Sequence, residues 1–174
     1  MLSLSSIAGW EEAIMASIGG AHGDAGERDR QIERSGLYGE YPAIVRAYEE
    51  LFSDPDSARE ALKRAVFLVW RSAVALPWDT GIAALPDGTM RAVIDELDAR
   101  ARREDTDDEQ DWMLAWYHAQ SPFLLELYGA TPGLMRVVHS RTGNAWRTAG
   151  ISGAVMQQRG QMGRYWSGLA NGAS

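Results

Sequence analysis

The spacing of apolar residues predicts helices along the whole chain. Near the N-terminus the large apolar residues recur every three to four positions, which places them on one face of a helix over Ile7–Ile18. Residues 21–36 are polar, charged and glycine-bearing, which is typical of a loop. We therefore predict an N-terminal helix and polar loop over residues 1–36, a candidate mobile arm, followed by a main helical domain over residues 37–174.

One segment in the middle of the chain is typical of a central helix. Ala65–Leu76 is apolar almost all round and is interrupted only by Arg71 and Ser72. A helix that is apolar on every side lies in the centre of a fold. We find no strand-like alternation, and 174 residues suit one domain. The sequence thus predicts an all-α fold, an irregular single-domain bundle of about six to eight helices.

The C-terminal part has helical spacing but many glycines. Each glycine inside a helix costs about 0.5–1 kcal/mol relative to alanine. We therefore predict that the last helix forms only when it docks, or that it is broken near Gly160–Gly163.

Charge is distributed unevenly along the chain. All 24 acidic residues lie at or before Glu126 together with 12 of the 17 basic residues, so this part carries 12 − 24 = −12, whereas the remainder carries five arginines and no acid. We hypothesise that this basic C-terminal segment docks on the acidic body of its own chain, with Arg159 and Arg164 meeting carboxylates such as those of Glu104–Asp111. The alternative is that these arginines face outward and bind an acidic partner or a phosphate-bearing ligand.

Composition and charge limit the binding partners and the cellular location that we expect for the protein. The net charge of −7 disfavours general binding to nucleic acid or to anionic membranes. The chain has no cysteine, its first 20 residues have no basic residue, and no stretch approaches the roughly 20 apolar residues of a membrane span. A secretory signal needs a positive n-region and an uninterrupted apolar run. We therefore expect a cytoplasmic protein that is not in the membrane.

The sequence has no motif that assigns catalysis. The three histidines are not spaced as metal ligands on one helix, and no phosphate-binding loop or nucleophile elbow is found. We accordingly predict no catalytic residue, no metal ligand and no cofactor, and the residues leave enzyme activity undecided while favouring its absence.

The aromatic content is the strongest chemical signal, because the chain has seven tryptophans. The favoured interpretation is a core packed with large rings. The alternative is a ligand pocket between helices, and its candidate residues are Asp111, Trp112, Trp116, Tyr117 and His118. A further set of residues is predicted to contact a partner at the surface, and its members are Trp78, Arg159 and Arg164.

Three segments resemble one set of known sequences. They are Arg-Gly-Gln-Met-Gly-Arg-Tyr-Trp over Arg159–Trp166, Ala61–Phe67, and the Trp-x-x-x-Trp-Tyr pattern of Trp112–Tyr117. This part of the chain is similar to uncharacterised bacterial helical proteins with a C-terminal RGQMGxYW-like motif. The resemblance implies a bacterial, stand-alone helical domain, and it transfers no activity and no site.

Three hypotheses about function follow. The favoured one is a non-catalytic protein–protein interaction protein of a bacterial regulatory or immunity type, whose partner is another protein. The second is an enzyme or small-molecule binder that uses the aromatic pocket near Trp112, Trp116 and His118. The third is a structural subunit of a larger assembly, and a homo-oligomer is compatible with all three.

Overall fold

A computed structural model describes residues 2–126, 129 and 131–172, and this part of the chain is all-α. It has eleven α-helices, eight of them with nine or more residues, so the predicted bundle of helices is confirmed. The α-helices are α1 (Leu4–Gly19), α2 (Ala25–Arg34), α3 (Glu40–Glu49), α4 (Ala58–Val74), α5 (Pro77–Thr80), α6 (Asp87–Arg102), α7 (Asp108–Gln120), α8 (Pro122–Glu126), α9 (Pro132–Ser140), α10 (Gly153–Met156) and α11 (Gly160–Gly172). Two 3₁₀ turns occupy Leu37–Gly39 and Ala145–Thr148.

Helix α4 lies in the centre of the fold, as its apolar composition predicts. It packs against α3, α6 and α11, and every residue from Ala61 to Trp70 is buried. The buried run begins earlier and ends sooner than the sequence indicates, because Val74 and Leu76 emerge at the surface, where Leu76 is 52% exposed. The central helix therefore also buries Lys63 and Arg64, whose charges need partners.

The N-terminal region is part of the body of the protein in this structure. Helix α1 packs against α3, α5 and α11 and buries the apolar face that its spacing predicts. The loop predicted over residues 21–36 is wrong, since α2 forms there. Asp24 caps α2 by accepting a hydrogen bond from the Glu27 backbone amide. The Glu27 side chain accepts one from the Asp24 backbone amide, which completes a capping box. Ile32 anchors this short polar helix in the core.

Two prolines stand at helix starts. Pro122 restarts the chain as α8 after α7, and Pro132 begins α9. Thr106 and Glu109 have the spacing of a capping box, but α7 begins one residue later than that spacing indicates. The Asp107 side chain is the cap, and it accepts a hydrogen bond from the Gln110 amide.

The break in the C-terminal segment lies immediately before Gly160, within the region where glycines predict it. Gly160 has a φ of +57°, and a Cβ there would lie 2.6 Å from the Glu11 carboxylate. Glycine is thus required at this position both by the left-handed backbone and by the close approach of α1. The short helix α10 and the longer α11 meet at this turn, and α11 then packs on α1 and α4.

Within the part of the chain that the structure describes, no helix is both long enough and apolar enough to cross a membrane.

Candidate functional site

The predicted aromatic pocket is occupied by other aromatic rings. Trp112 of α7 meets Trp166 of α11 edge to face at 4.6 Å between ring centroids, and Tyr117 stacks on Trp70 of α4 at 4.7 Å. Trp116 packs against Trp146, at 5.6 Å between ring centroids. Each of these separations lies in the range in which aromatic rings attract one another. The three aromatic candidates from α7 therefore form an aromatic cluster with rings from α4, α11 and the second 3₁₀ turn.

The indole N–H groups of two tryptophans are hydrogen-bonded within this cluster. The Trp116 indole N–H donates to the Tyr165 hydroxyl at 2.7 Å, and the Trp166 indole N–H donates to the Tyr117 hydroxyl at 3.1 Å. Burial raises the pKa of Tyr117 far above its usual range, against the hydrogen bond from Trp166, which lowers it. Tyr117 is thus held neutral, and the interpretation as a packed core accounts for these residues.

His118 lies apart from the aromatic cluster. Its half-buried ring meets the ring of His139 on α9 edge to face at 5.6 Å. Asp111, on the same helix, lies near Thr106 and Arg141, and burial raises its pKa against the opposing hydrogen bond from Thr106. The side chains of Tyr117 and His118 point about 100° apart around α7, so Tyr117 faces the core and His118 faces α9. The five candidate residues are therefore divided between two sides of the helix.

The basic C-terminal segment docks on its own chain in this structure. Arg159 is 6% exposed and pairs with both oxygens of Glu60 and of Glu109. Lys63 joins the same buried cluster, with its Nζ 2.7 Å from Glu109 and 2.7 Å from Asp107. Burial opposes ionisation of Glu109, yet hydrogen bonds from Arg159 and Lys63 outweigh it and lower its pKa to about 2. Arg159 is thus an internal ion-pair residue.

The second arginine of the predicted surface pair remains exposed. Arg164 pairs with Glu12 of α1, which adds a contact between the C-terminal helix and the N-terminal one. Exposed pairs of this kind contribute about 0–1 kcal/mol each. The burial of Met162 and Trp166 supplies more of the stability of this docking.

A buried carboxylate that the sequence analysis did not single out lies between α1, α3 and α11. Glu11 is 1% exposed and accepts hydrogen bonds from the Tyr48 hydroxyl at 2.6 Å and the Gln161 amide at 2.9 Å. Burial raises the pKa of Glu11 to about 7, although both hydrogen bonds and the nearby Arg64 lower it. The sequence does indicate that Glu11 is buried, because Glu11 falls on the apolar face of α1 between Ile7 and Ile14.

The Gln161 side chain extends this polar network. Its amide nitrogen donates to the Tyr41 hydroxyl and, at 2.6 Å, to the carbonyl of Thr80 in α5. The network therefore joins α1, α3, α5 and α11, and it fixes the register of the last helix on the first.

An open cleft of about 530 Å³ lies where the turn after α3 meets the end of α6. Its lining residues are Phe52, Ser53, Asp54, Pro55, Asp56, Ala58, Arg59, Arg100 and Asp105. The two arginines of this acidic cleft are balanced by two acids, Asp105 in the lining and Glu96 of α6, whose carboxylate lies 2.7 Å from Arg100. Arg59 donates to Asp105 at 2.6 Å, and Arg100 contacts Asp105 at 3.2 Å while also donating to the Phe52 carbonyl at 2.8 Å. The hydrogen bond from Arg59 is the main cause of the lowered pKa of Asp105.

Within the part of the chain that the structure describes, no cation pairs with the remaining carboxylates of the acidic cleft. The Asp54 side chain accepts a weak contact from the Asp56 amide at 3.4 Å, and Asp56 is exposed. A cationic group such as an amine or a guanidinium is the natural ligand for carboxylates in this position. The residues Ser53–Asp56 by themselves indicate only a turn, since the juxtaposition with Arg100 and Asp105 depends on the tertiary fold.

Trp78, which the sequence predicts as a surface contact for a partner, is half-buried. It lies in the short helix α5, its ring is half-buried against the core, and its carbonyl accepts a hydrogen bond from Arg28 at 3.3 Å. The same two elements are linked by an ion pair between Arg28 and Asp79 at 3.4 Å. Trp78 therefore helps to hold α2 and α5 together.

Comparison with protein-family models, with curated proteins and with solved structures finds no match to this chain. Among the described residues, no group of three His, Cys, Asp or Glu side chains is arranged to hold a metal ion.

Proposed function

We propose that this chain is a non-catalytic protein–protein interaction protein, a cytoplasmic bacterial protein of a regulatory or immunity type, and that it binds its partner at the acidic cleft. The observation that supports the proposal is the charge of the acidic cleft. Its two arginines are paired with Asp105 and with Glu96 of α6, so among the described residues the charge that remains unpaired in the cleft is that of Asp54 and Asp56.

The arrangement of the C-terminal arginines supports the same conclusion. Arg141, Arg159 and Arg164 each pair with a carboxylate of this chain, so an acidic partner is not needed to explain them. The net charge of −7 then comes from exposed carboxylates that are not in an ion pair. Among the described residues these include Asp56, which lines the acidic cleft, and Glu50 and Glu104, which are close in sequence to its lining residues.

The chemistry of the partner follows from these charges. Carboxylates without a cation at the rim of a cleft favour a lysine or arginine side chain of the partner, and half-buried Phe52 offers an aromatic face beside them. Complementary charge mainly accelerates association and sets specificity, and its effect falls with ionic strength. We therefore expect a basic partner surface whose association slows at high salt.

The test compares two variants with the same change in charge. Asp54→Lys/Asp56→Lys reverses the cleft, whereas Glu33→Lys/Asp87→Lys reverses two exposed acids that do not line it. Each tagged protein is used to capture partners from source cells, and the captured proteins are identified and measured by mass spectrometry. Circular dichroism checks that both variants are folded.

A stoichiometric partner with a basic surface, lost with Asp54→Lys/Asp56→Lys and kept with the control, supports the proposal. Equal capture by the wild type and the cleft variant contradicts it. Retention of a small molecule without any protein, seen by native mass spectrometry, favours the small-molecule hypothesis instead.

A further inference from the structure

Arg147 differs from the other arginines of the basic C-terminal segment. Arg136 donates to the Ala101 carbonyl, and the arginines at 141, 159 and 164 pair with carboxylates. The guanidinium of Arg147 instead lies over the Trp146 ring, with its carbon 4.9 Å from the ring centroid, and no described residue accepts a hydrogen bond from it. A stacked guanidinium uses its face and leaves the N–H donors at its edge available for a carboxylate.

The ring beneath Arg147 carries a second unused donor. Trp146 is 4% exposed, and among the described residues its indole N–H has no hydrogen-bond acceptor. Trp116 and Trp166, which belong to the same aromatic cluster, both have acceptors. A buried donor without an acceptor is unfavourable, so such an atom calls for an explanation. Trp70 shares this property, but only Trp146 lines one of the surface cavities described here.

A cavity of about 210 Å³ lies at this position. Its lining residues are Trp146, Arg147, Gly150, Ile151 and Ala170. A second cavity of about 260 Å³ shares Gly150 and Ile151 with it and is also lined by Trp112. Gly150 has a φ of +62° and no atom within 4 Å of where a Cβ would lie, so the chain between the two cavities is open to solvent there. Trp146, Ile151 and Ala170 supply the apolar part of the wall, and Arg147 and the backbone supply about as much polar surface.

We propose that the cavity beside Trp146 and Arg147 is a binding site for a small apolar carboxylate. The Arg147 guanidinium pairs with the carboxylate, the Trp146 ring and Ile151 contact the apolar part, and the unpaired indole N–H of Trp146 lies in the ring that forms the cavity wall. A volume of 210 Å³ is that of about seven water molecules, which suits an acid of the size of benzoate. The carboxylate belongs either to a free acid or to the C-terminal residue of a peptide.

This inference goes beyond the proposed function and is independent of it. The cavity shares no lining residue with the acidic cleft, and it attracts the opposite charge. Loss of one site therefore leaves the other intact.

The experiment titrates the full chain with four probes while following its ¹H–¹⁵N spectrum. Benzoate represents the free acid, and acetyl-Ala-Ala-Ala-Phe with a free carboxyl end represents the peptide. Benzamide and the C-terminally amidated peptide are the matched probes without charge. The variants are Arg147→Gln, Trp146→Phe, which keeps a ring but removes the N–H, and Arg103→Gln as an exposed control that does not line the cavity.

We expect one of the two acids to shift the Trp146 indole N–H resonance in a saturable way, and the uncharged probe of the same shape to bind at least tenfold more weakly. Arg147→Gln is expected to weaken binding about tenfold or more, because it removes a charge-assisted hydrogen bond. Arg103→Gln should bind as the wild type does. Saturation by benzoate identifies a free acid as the ligand class, and saturation by the peptide alone identifies a C-terminal carboxylate.

Absence of saturable binding by both acids at millimolar concentration overturns the proposal. Equal affinity of wild type and Arg147→Gln also overturns it. If Trp146→Phe fails to fold, the Arg147→Gln comparison decides alone, since Arg147 is exposed and pairs with no described carboxylate.

Discussion

Replacement of Glu11 by glutamine is expected to remove a large part of the pH dependence of stability. Glu11 is almost fully buried, and its only hydrogen bonds in the described structure come from Tyr48 and Gln161. Burial raises its pKa from the ordinary 4.5 to about 7, against these hydrogen bonds. The folded state therefore holds this proton more tightly than the unfolded state does.

The magnitude follows from the two pKa values. One pKa unit corresponds to about 1.4 kcal/mol, so a rise from 4.5 to about 7 corresponds to about 3 kcal/mol. Because the folded pKa is raised, this contribution to stability is fully present below about pH 4.5 and is lost as the pH rises through 7. Between pH 5 and pH 8 the wild type should lose most of it.

The assay is urea denaturation at pH 5.5 and pH 8.5 for the wild type, Glu11→Gln and Glu12→Gln. The amide of Glu11→Gln can still accept from the Gln161 N–H and can donate to the Tyr48 hydroxyl, but it does not titrate. We expect the wild type and Glu12→Gln to be less stable at pH 8.5, and Glu11→Gln to lose much less. Parallel losses in the wild type and Glu11→Gln would falsify the assignment of this pH dependence to Glu11.

Three other perturbations test the docking of the C-terminal segment. Arg159→Met removes the cation that half-buried Glu60 and Glu109 share, and each glutamate keeps one other cation, Arg64 or Lys63; the free energy of unfolding should therefore fall by about 1.5–3 kcal/mol in urea titrations. The exposed control Arg164→Ala should cost no more than about 1 kcal/mol, and equal effects would contradict the ion cluster. Gly160→Ala places a Cβ against a buried carboxylate on left-handed backbone, so its thermal unfolding temperature should fall. The helical control Gly168→Ala has open space and should not lower it. Truncation after Gly150 removes α10 and α11, so dye binding should reveal newly exposed aromatic surface, whereas an unchanged melting curve would show that the segment does not stabilise the body.

Several features of this fold could be predicted from local pattern. Apolar residues at helical spacing indicate α1 and α4, and proline at a first turn indicates the start of α9. The glycines near residue 160 indicate a broken last helix, because glycine is costly inside helices and is favoured where the backbone is left-handed. The separation of charge along the chain also indicates that the two ends attract each other, and Arg159 and Arg164 pair with acids as that predicts.

Other features depended on contacts between distant residues. Helix α2 is polar, and its capping box and the burial of Ile32 against the core decide that it forms where the composition is typical of a loop. The candidate pocket on α7 was ambiguous, since rings at helical spacing suit a core and a ligand site equally well. Trp166, brought from 49 residues beyond Tyr117, is among the rings that fill that space.

The chemistry of the individual charged groups was decided in the same way. The position of Glu11 on the apolar face of α1 indicates burial, but its partners come from the fold: Glu11 faces α3 and α11, whereas half-buried Glu12 faces Arg164. The sequence determined where helices and charges lie along the chain, because spacing and propensity are local properties. The tertiary structure decided which carboxylates are paired and how deeply they are buried, because the dielectric surroundings and partners of a charge come from residues up to 152 positions away.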